Sequence, residues 1–260
     1  MSRENHPTEA TLRLFPYARF AVLACMALSS AALPSTPAHA DQSDRIVFRF
    51  SLAGLPAGEL RIDGKIAGSG YAANGSVETT GLFGALSRIR YDATVQGRHD
   101  GAGFHPIEFN ETATRGSRNV TYRMVFRDGT PVSVSQTPAR KPRSTDVDPR
   151  AQGGTIDPLT ALYAVLRDVD KSEACTLSVY MFDGTKRSHV GLGKPAPTPD
   201  GGVTCAGDYR RIGGFSAKEM ADKSVFPFTL TYAPAPEPGR LRVVSIVTDT
   251  ILGKGRLTRQ

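Results

Sequence analysis

From residue 46 onward, apolar and polar residues alternate with a period of two. Ile46, Phe48, Phe50 and Leu52 alternate with Val47, Arg49 and Ser51. Leu60, Ile62 and Ile66 alternate with Glu59, Arg61, Asp63 and Lys65 beyond a turn at Gly54-Leu55-Pro56-Ala57-Gly58. The pattern returns at Ile89-Tyr91-Ala93-Val95 and at Val120-Tyr122-Met124-Phe126. The second half repeats it at Leu177-Val179-Met181, Phe226-Phe228-Leu230-Tyr232, Leu241-Val243 and Val247. Each stretch puts one face in a core and one in water, which predicts antiparallel strands. Asn74-Gly75, Asp100-Gly101, Asp128-Gly129 and Asp183-Gly184 are read as the turns between them.

One segment departs from this period. Leu159, Leu162, Tyr163 and Leu166 are spaced as one helical stripe. Asp157 precedes it as an N-cap, and Pro158 takes the first helical position, where a missing N–H costs nothing. The expected fold is mostly β: a curved antiparallel sheet forming an open barrel or spiral around one short α-helix, whose apolar stripe needs the concave face. Residues 137–154 (TPARKPRSTDVDPRAQGG) are polar, Pro-rich and basic at Arg140, Lys141 and Arg143, and read as a mobile connection within one domain. Residues 195–202 and 233–239 are further loops.

Composition narrows the class. The 260 residues include 26 Gly and 18 Pro, an excess that suits a turn-rich β protein. There is no Trp, and no apolar run after the N-terminus is long enough to span a bilayer as a helix. The net charge of +7 permits contact with anionic envelope components and gives no reason to expect a nucleic-acid partner.

Residues 1–40 carry the pattern of a secretory signal. Arg13 and Arg19 are basic, residues 20–33 are apolar, and Ala38-His39-Ala40 is a small-residue cleavage site. Cleavage after Ala40 would leave 41–260 as one periplasmic domain. Cys25 sits in a partial lipobox, but the apolar run continues beyond it, against lipidation. The two remaining cysteines, Cys175 and Cys205, form an even pair in an exported chain and read as one disulfide; two buried free thiols are the alternative.

Catalytic and metal signatures are missing. His99, His105 and His189 have no metal-ligand spacing, and there is no nucleophile elbow, P-loop or dinucleotide fingerprint. Glu108 and Glu111 are three apart in a strand and so face opposite ways. Asp168 and Asp170 follow the helix and read as solvated. Asp183 reads as a turn residue whose carboxylate bonds its own backbone, with Gly184 supplying positive φ.

Several marks occur together in order: Gly54-Leu55-Pro56-Ala57-Gly58, then Asp157-Pro158-Leu159-Thr160-Ala161-Leu162-Tyr163, then Phe182-Asp183-Gly184 between Cys175 and Cys205, then Tyr209-Arg210-Arg211-Ile212-Gly213-Gly214. In these the chain, over residues 46–255, resembles the exported bacterial family called domain of unknown function 3108, in its alphaproteobacterial form. Met181 stands where that form usually has Val. The resemblance implies a periplasmic antiparallel β protein curled around a helix, with no known catalytic residues or cofactor. The curled shape is similar to periplasmic lipoprotein carriers, an analogy of fold alone.

The functional expectation is a non-enzymatic envelope protein. It would bind an apolar or lipid-like ligand in the concavity of the sheet, with the helix from Pro158 as plug or lid. The alternative is a protein-interaction or scaffold role in envelope integrity through residues 137–154. A third reading, an envelope-polymer hydrolase, needs two titratable side chains converging in one cleft.

Overall fold

The computed structural model describes residues 41–260 apart from 102, 251 and 252; the expected signal segment lies outside the described residues. The first seven strands form a meander: β1 (Gln42–Leu52), β2 (Leu55–Ala67), β3 (Gly70–Thr79), β4 (Ile89–Asp100), β5 (Gly103–Arg115), β6 (Arg118–Arg127) and β7 (Thr130–Thr137). A short helix α1 (Gly81–Leu86) joins β3 to β4. The two-residue strand β8 (Thr155–Ile156) leads into helix α2 (Pro158–Leu166), followed by β9 (Val169–Asp170). The remaining elements are β10 (Ser178–Phe182), β11 (Arg187–Pro197), β12 (Val203–Gly213), α3 (Ala217–Asp222), β13 (Val225–Pro234), β14 (Arg240–Thr250) and β15 (Gly253–Arg259).

All of these strands belong to one sheet. Its order is β7-β6-β5-β4-β3-β2-β1-β15-β14-β13-β12-β11-β10-β8, with β9 beside β14. Every pairing is antiparallel except the two-residue contact of β8 with β10. The sheet curls into a nearly closed barrel with a seam between β7 and the β8–β10 edge. Chain 138–154 bridges that seam: the Val147 amide donates to the Thr185 carbonyl, and the Gly154 amide donates to the Gly129 carbonyl.

The period-two pattern becomes inward rows. One row runs Ile46, Ile62, Gly75, Ala93, Glu111, Tyr122, Gln136 across seven neighbouring strands. It begins apolar and turns polar toward the seam. Asn74-Gly75, read as a turn, lies inside β3. Its Gly serves close approach instead: a Cβ at Gly75 would stand 2.5 Å from Leu159 Cδ1 of α2. The first turn is also shorter than expected. Only Ala53 and Gly54 make it, both with positive φ, and Leu55 to Gly58 already belong to β2.

Helix α2 runs inside the barrel as expected, capped by Asp157, whose Oδ1 accepts from the Thr160 amide at 2.9 Å. The expected single stripe does not describe its burial. Thr160, Ala161, Ala164 and Val165 are buried as well as Leu159, Tyr163 and Leu166, while Leu162 is half-exposed. Enclosure by the sheet on several sides explains the difference. Helices α1 and α3 lie outside and bury no side chain.

Asp157 is fully buried, and burial pushes its carboxyl up to about 6 from the ordinary 3.8. The stabilisation associated with its proton is therefore full below about pH 4 and is lost as pH rises through 6. Asn caps equally well and does not titrate. The stability of wild type relative to Asp157→Asn is expected to fall by about 3 kcal/mol between pH 4 and pH 7.5, since one pKa unit is about 1.4 kcal/mol. Denaturant titrations of both chains across that range check this, and a flat difference contradicts it.

The end of the barrel beyond the helix C-terminus is closed by charge. Asp168, expected to be solvated, is buried, because β14 and β15 bring arginines onto it. Arg242 donates to both its oxygens, at 3.0 and 2.6 Å, and Arg259 lies 3.6 Å away. Asp44 accepts from the Tyr163 hydroxyl at 2.8 Å and from the Asp168 amide at 3.3 Å. Asp170, by contrast, is solvent-exposed as expected.

Candidate functional site

The opposite end of the barrel, where α2 begins, holds a cavity of about 550 Å³. Strands β4 to β7 form one wall, the β10–β11 turn another, and Pro158 reaches it from the helix. Tyr91, Phe109, Ala113 and Val120 supply apolar surface. Glu111, Arg115, Arg118, Tyr122, Gln136, Arg140, Arg143, Asp183 and Thr185 supply the polar groups.

The Phe182-Asp183-Gly184 motif builds the second wall. Phe182 is fully buried and anchors the turn. Asp183 Oδ1 accepts from the Thr185 amide at 2.9 Å and from the Lys186 amide at 2.7 Å, as its turn role requires. Gly184 has φ 98°, and a Cβ there would meet Val134 at 3.2 Å and Met124 at 3.7 Å. The turn thus tucks against the inner faces of β6 and β7, which carries Asp183 into the cavity.

Strand parity separates Glu108 from Glu111, as expected. Glu108 faces outward and pairs with Arg123 at 3.0 Å. Glu111 faces inward. Burial, and then Asp183, push its carboxyl above the usual carboxylate range, while Arg115 opposes the shift. The Tyr122 phenol is also raised, by burial and then by Glu111, with Arg140 and Arg115 opposing. Arg115 donates to the Tyr91 hydroxyl, and Arg140 pairs with Asp146 at 2.8 Å. Arg118 has no ion-pair partner among the described residues.

The site therefore holds four guanidinium groups against two carboxylates, beside aromatic and aliphatic surface. Such a set can clamp an anionic group and cover a short apolar segment. The walls are not the wholly apolar concavity expected, because the helix and core fill the apolar part of the barrel. Among the described residues, no group of three His, Cys, Asp or Glu is placed to hold a metal.

Cys175 and Cys205 are joined as a disulfide with Cα atoms 5.5 Å apart, tying the segment after β9 to β12. It lies outside the cavity lining. The sequence reading missed the meeting of Glu111 with Asp183 and the arginine set. No local signal announces either, since the curling of the sheet makes them.

Among curated proteins, none matches the chain. The chain is similar to the crystal structure of a beta-barrel-like protein of domain of unknown function DUF1849 from Brucella abortus. That likeness has 14% identity and a TM-score of 0.48, covering 84% of this chain and 95% of that one. The family described as Protein of unknown function (DUF3108) matches residues 47–193, more than half of the chain, and the chain belongs to that family.

Proposed function

We propose that the chain is an exported, non-enzymatic binding protein of the cell envelope that holds an amphipathic ligand by its anionic group in the cavity beside Pro158. One observation carries the reading: Arg115, Arg118, Arg140 and Arg143 outnumber Glu111 and Asp183 in a cavity of about 550 Å³ that also presents Tyr91, Phe109 and Val120. The volume lies within the range of small-molecule sites. The Cys175–Cys205 disulfide supports an oxidising compartment, and with it export.

A second reading rests on the convergence of Glu111 and Asp183 in one cleft. Two carboxyl groups, one with a raised pKa, are what a hydrolase of envelope polymers would use as acid and base.

Glu111→Gln separates the two. Calorimetric titration with decyl phosphate below its micellar concentration is expected to show about fivefold tighter binding for Glu111→Gln at pH 7. One nearby negative charge is then gone, worth about 1 kcal/mol. Arg118→Glu is expected to weaken binding by about tenfold. Wild type should approach the Glu111→Gln affinity as pH falls, because the raised carboxyl then takes up its proton. Equal binding of decyl phosphate and uncharged decanol contradicts the proposal. Glycan cleavage that disappears in Glu111→Gln establishes the hydrolase.

A further inference from the structure

Strand directions place the connections β1–β2, β3–β4, β5–β6, β10–β11, β12–β13 and β14–β15 at the same end of the barrel as the cavity. Apolar exposure is concentrated there. Of the nine large apolar side chains exposed among the described residues, six lie at this end: Leu55, Leu82, Leu86, Ile212, Met220 and Val225. Leu82 and Leu86 on α1 are 62% and 77% exposed, and no residue of that helix is buried. A hairpin tip or six-residue helix does not otherwise gain from exposing leucines in water.

Charge is polarised along the same axis. This end presents the exposed cations Arg88, Arg118, Lys141, Arg143, Lys218 and Lys223. Of its acids, Asp146, Glu219 and Asp249 are each paired with a local cation, while Asp222 is exposed and has no ion-pair partner among the described residues. Neither Arg88 nor Arg118 has an ion-pair partner among the described residues. The hairpin turns of the opposite end bring Asp100, Asp128, Asp200 and Glu237, of which Asp100 pairs with His105 and Glu237 with Arg240, and the exposed cations Arg98 and Arg127 lie beside two of these turns.

We propose that the cavity end of the barrel docks on an anionic lipid bilayer, with Leu82 and Leu86 of α1 entering the interface and Arg88 and Arg118 meeting the headgroups. Apolar side chains set among cations are the combination that holds a protein at such a surface. Charge complementarity selects a bilayer with negative headgroups, and the acidic turns orient the barrel by facing away. The Gly116 amide donates to the Arg88 carbonyl at 3.0 Å, which ties the β5–β6 turn to the α1 connection in one rim. Arg115 and Arg118 belong both to that rim and to the cavity lining. Docking stands on the outer residues alone; passage of a ligand between bilayer and cavity rests on the reading above.

The chain contains no tryptophan, so one introduced at the tip reports only its own surroundings. Leu86→Trp, purified as the exported chain, is mixed with vesicles of equal phosphatidylglycerol and phosphatidylcholine, and with vesicles of phosphatidylcholine alone. Ile107→Trp, on the outer wall of β5, is the control. The emission of Trp in Leu86→Trp should move to shorter wavelength and be quenched by brominated lipid with the anionic vesicles only, while the control does not change. Adding Arg88→Gln and Arg118→Gln should each lower the apparent vesicle affinity about fivefold. No shift, or the same shift in both reporters, overturns the proposal. A shift that grows with protein concentration without vesicles assigns the tip to a second copy of the chain and also overturns it. Decyl phosphate binding is measured without a membrane, so either reading can fail while the other stands.

Discussion

Replacing Tyr163 with alanine should destabilise the barrel by about 3–5 kcal/mol, the cost of removing a large, fully buried aromatic side chain. Tyr163 is the side chain by which α2 grips the sheet. Its ring lies so close to Gly64 that a Cβ there would stand 2.2 Å from it, and Phe104 packs edge-on at 5.7 Å. Its hydroxyl donates to Asp44, so truncation leaves a cavity and also weakens the network at the charged end. Tyr163→Phe should cost only about 1–2 kcal/mol, because the ring remains and Asp44 keeps its bonds from Gln42 and the Asp168 amide. Denaturant midpoints with unchanged slope check both values. A loss under 1 kcal/mol for Tyr163→Ala would mean that the helix is not integral to the fold.

Asp168→Ala is the second substitution with a large effect, at about 3–5 kcal/mol. It leaves Arg242 and Arg259 together without their shared carboxylate, and the Arg259 side chain is only 6% exposed. Burial already holds the Arg259 guanidinium below its ordinary range, with Asp168 opposing that shift. Asp168→Asn keeps an acceptor without the charge and should fall between wild type and alanine. Because the pair is buried, the loss should persist in 1 M salt, where surface pairs are screened. Recovery of stability in salt would contradict a buried network.

The strands were legible because each has one dry face, and a period of two leaves that mark in sequence. Helix α2 was legible through Asp157 and Pro158, which announce its start more clearly than its apolar spacing describes its burial. Its spacing suggested one stripe, but a helix enclosed by a barrel is covered from several directions. Asn74-Gly75 misled because a Gly that admits Leu159 looks, in sequence, like a Gly that permits a turn. Asp168 misled because the arginines that claim it come from β14 and β15, far along the chain. Helix α3 had a readable capping box at Ser216 and Glu219, which its shortness hid among the loops. The cavity had no local signature. Glu111 alternates correctly on β5, and Asp183 makes an ordinary turn. Only closure of the seam brings Asp183 to Glu111 and Arg115 on β5.

The ligand proposed for the cavity end is an amphipathic anion. Mild extraction of the full-length chain from its own cells, followed by native mass spectrometry and lipid analysis, tests it most directly. About one bound molecule per chain is expected, with a phosphate or carboxylate head and an apolar tail, and it should be lost in Arg115→Glu/Arg118→Glu. A chain recovered free of ligand, or carrying neutral lipid equally in wild type and variant, would contradict it.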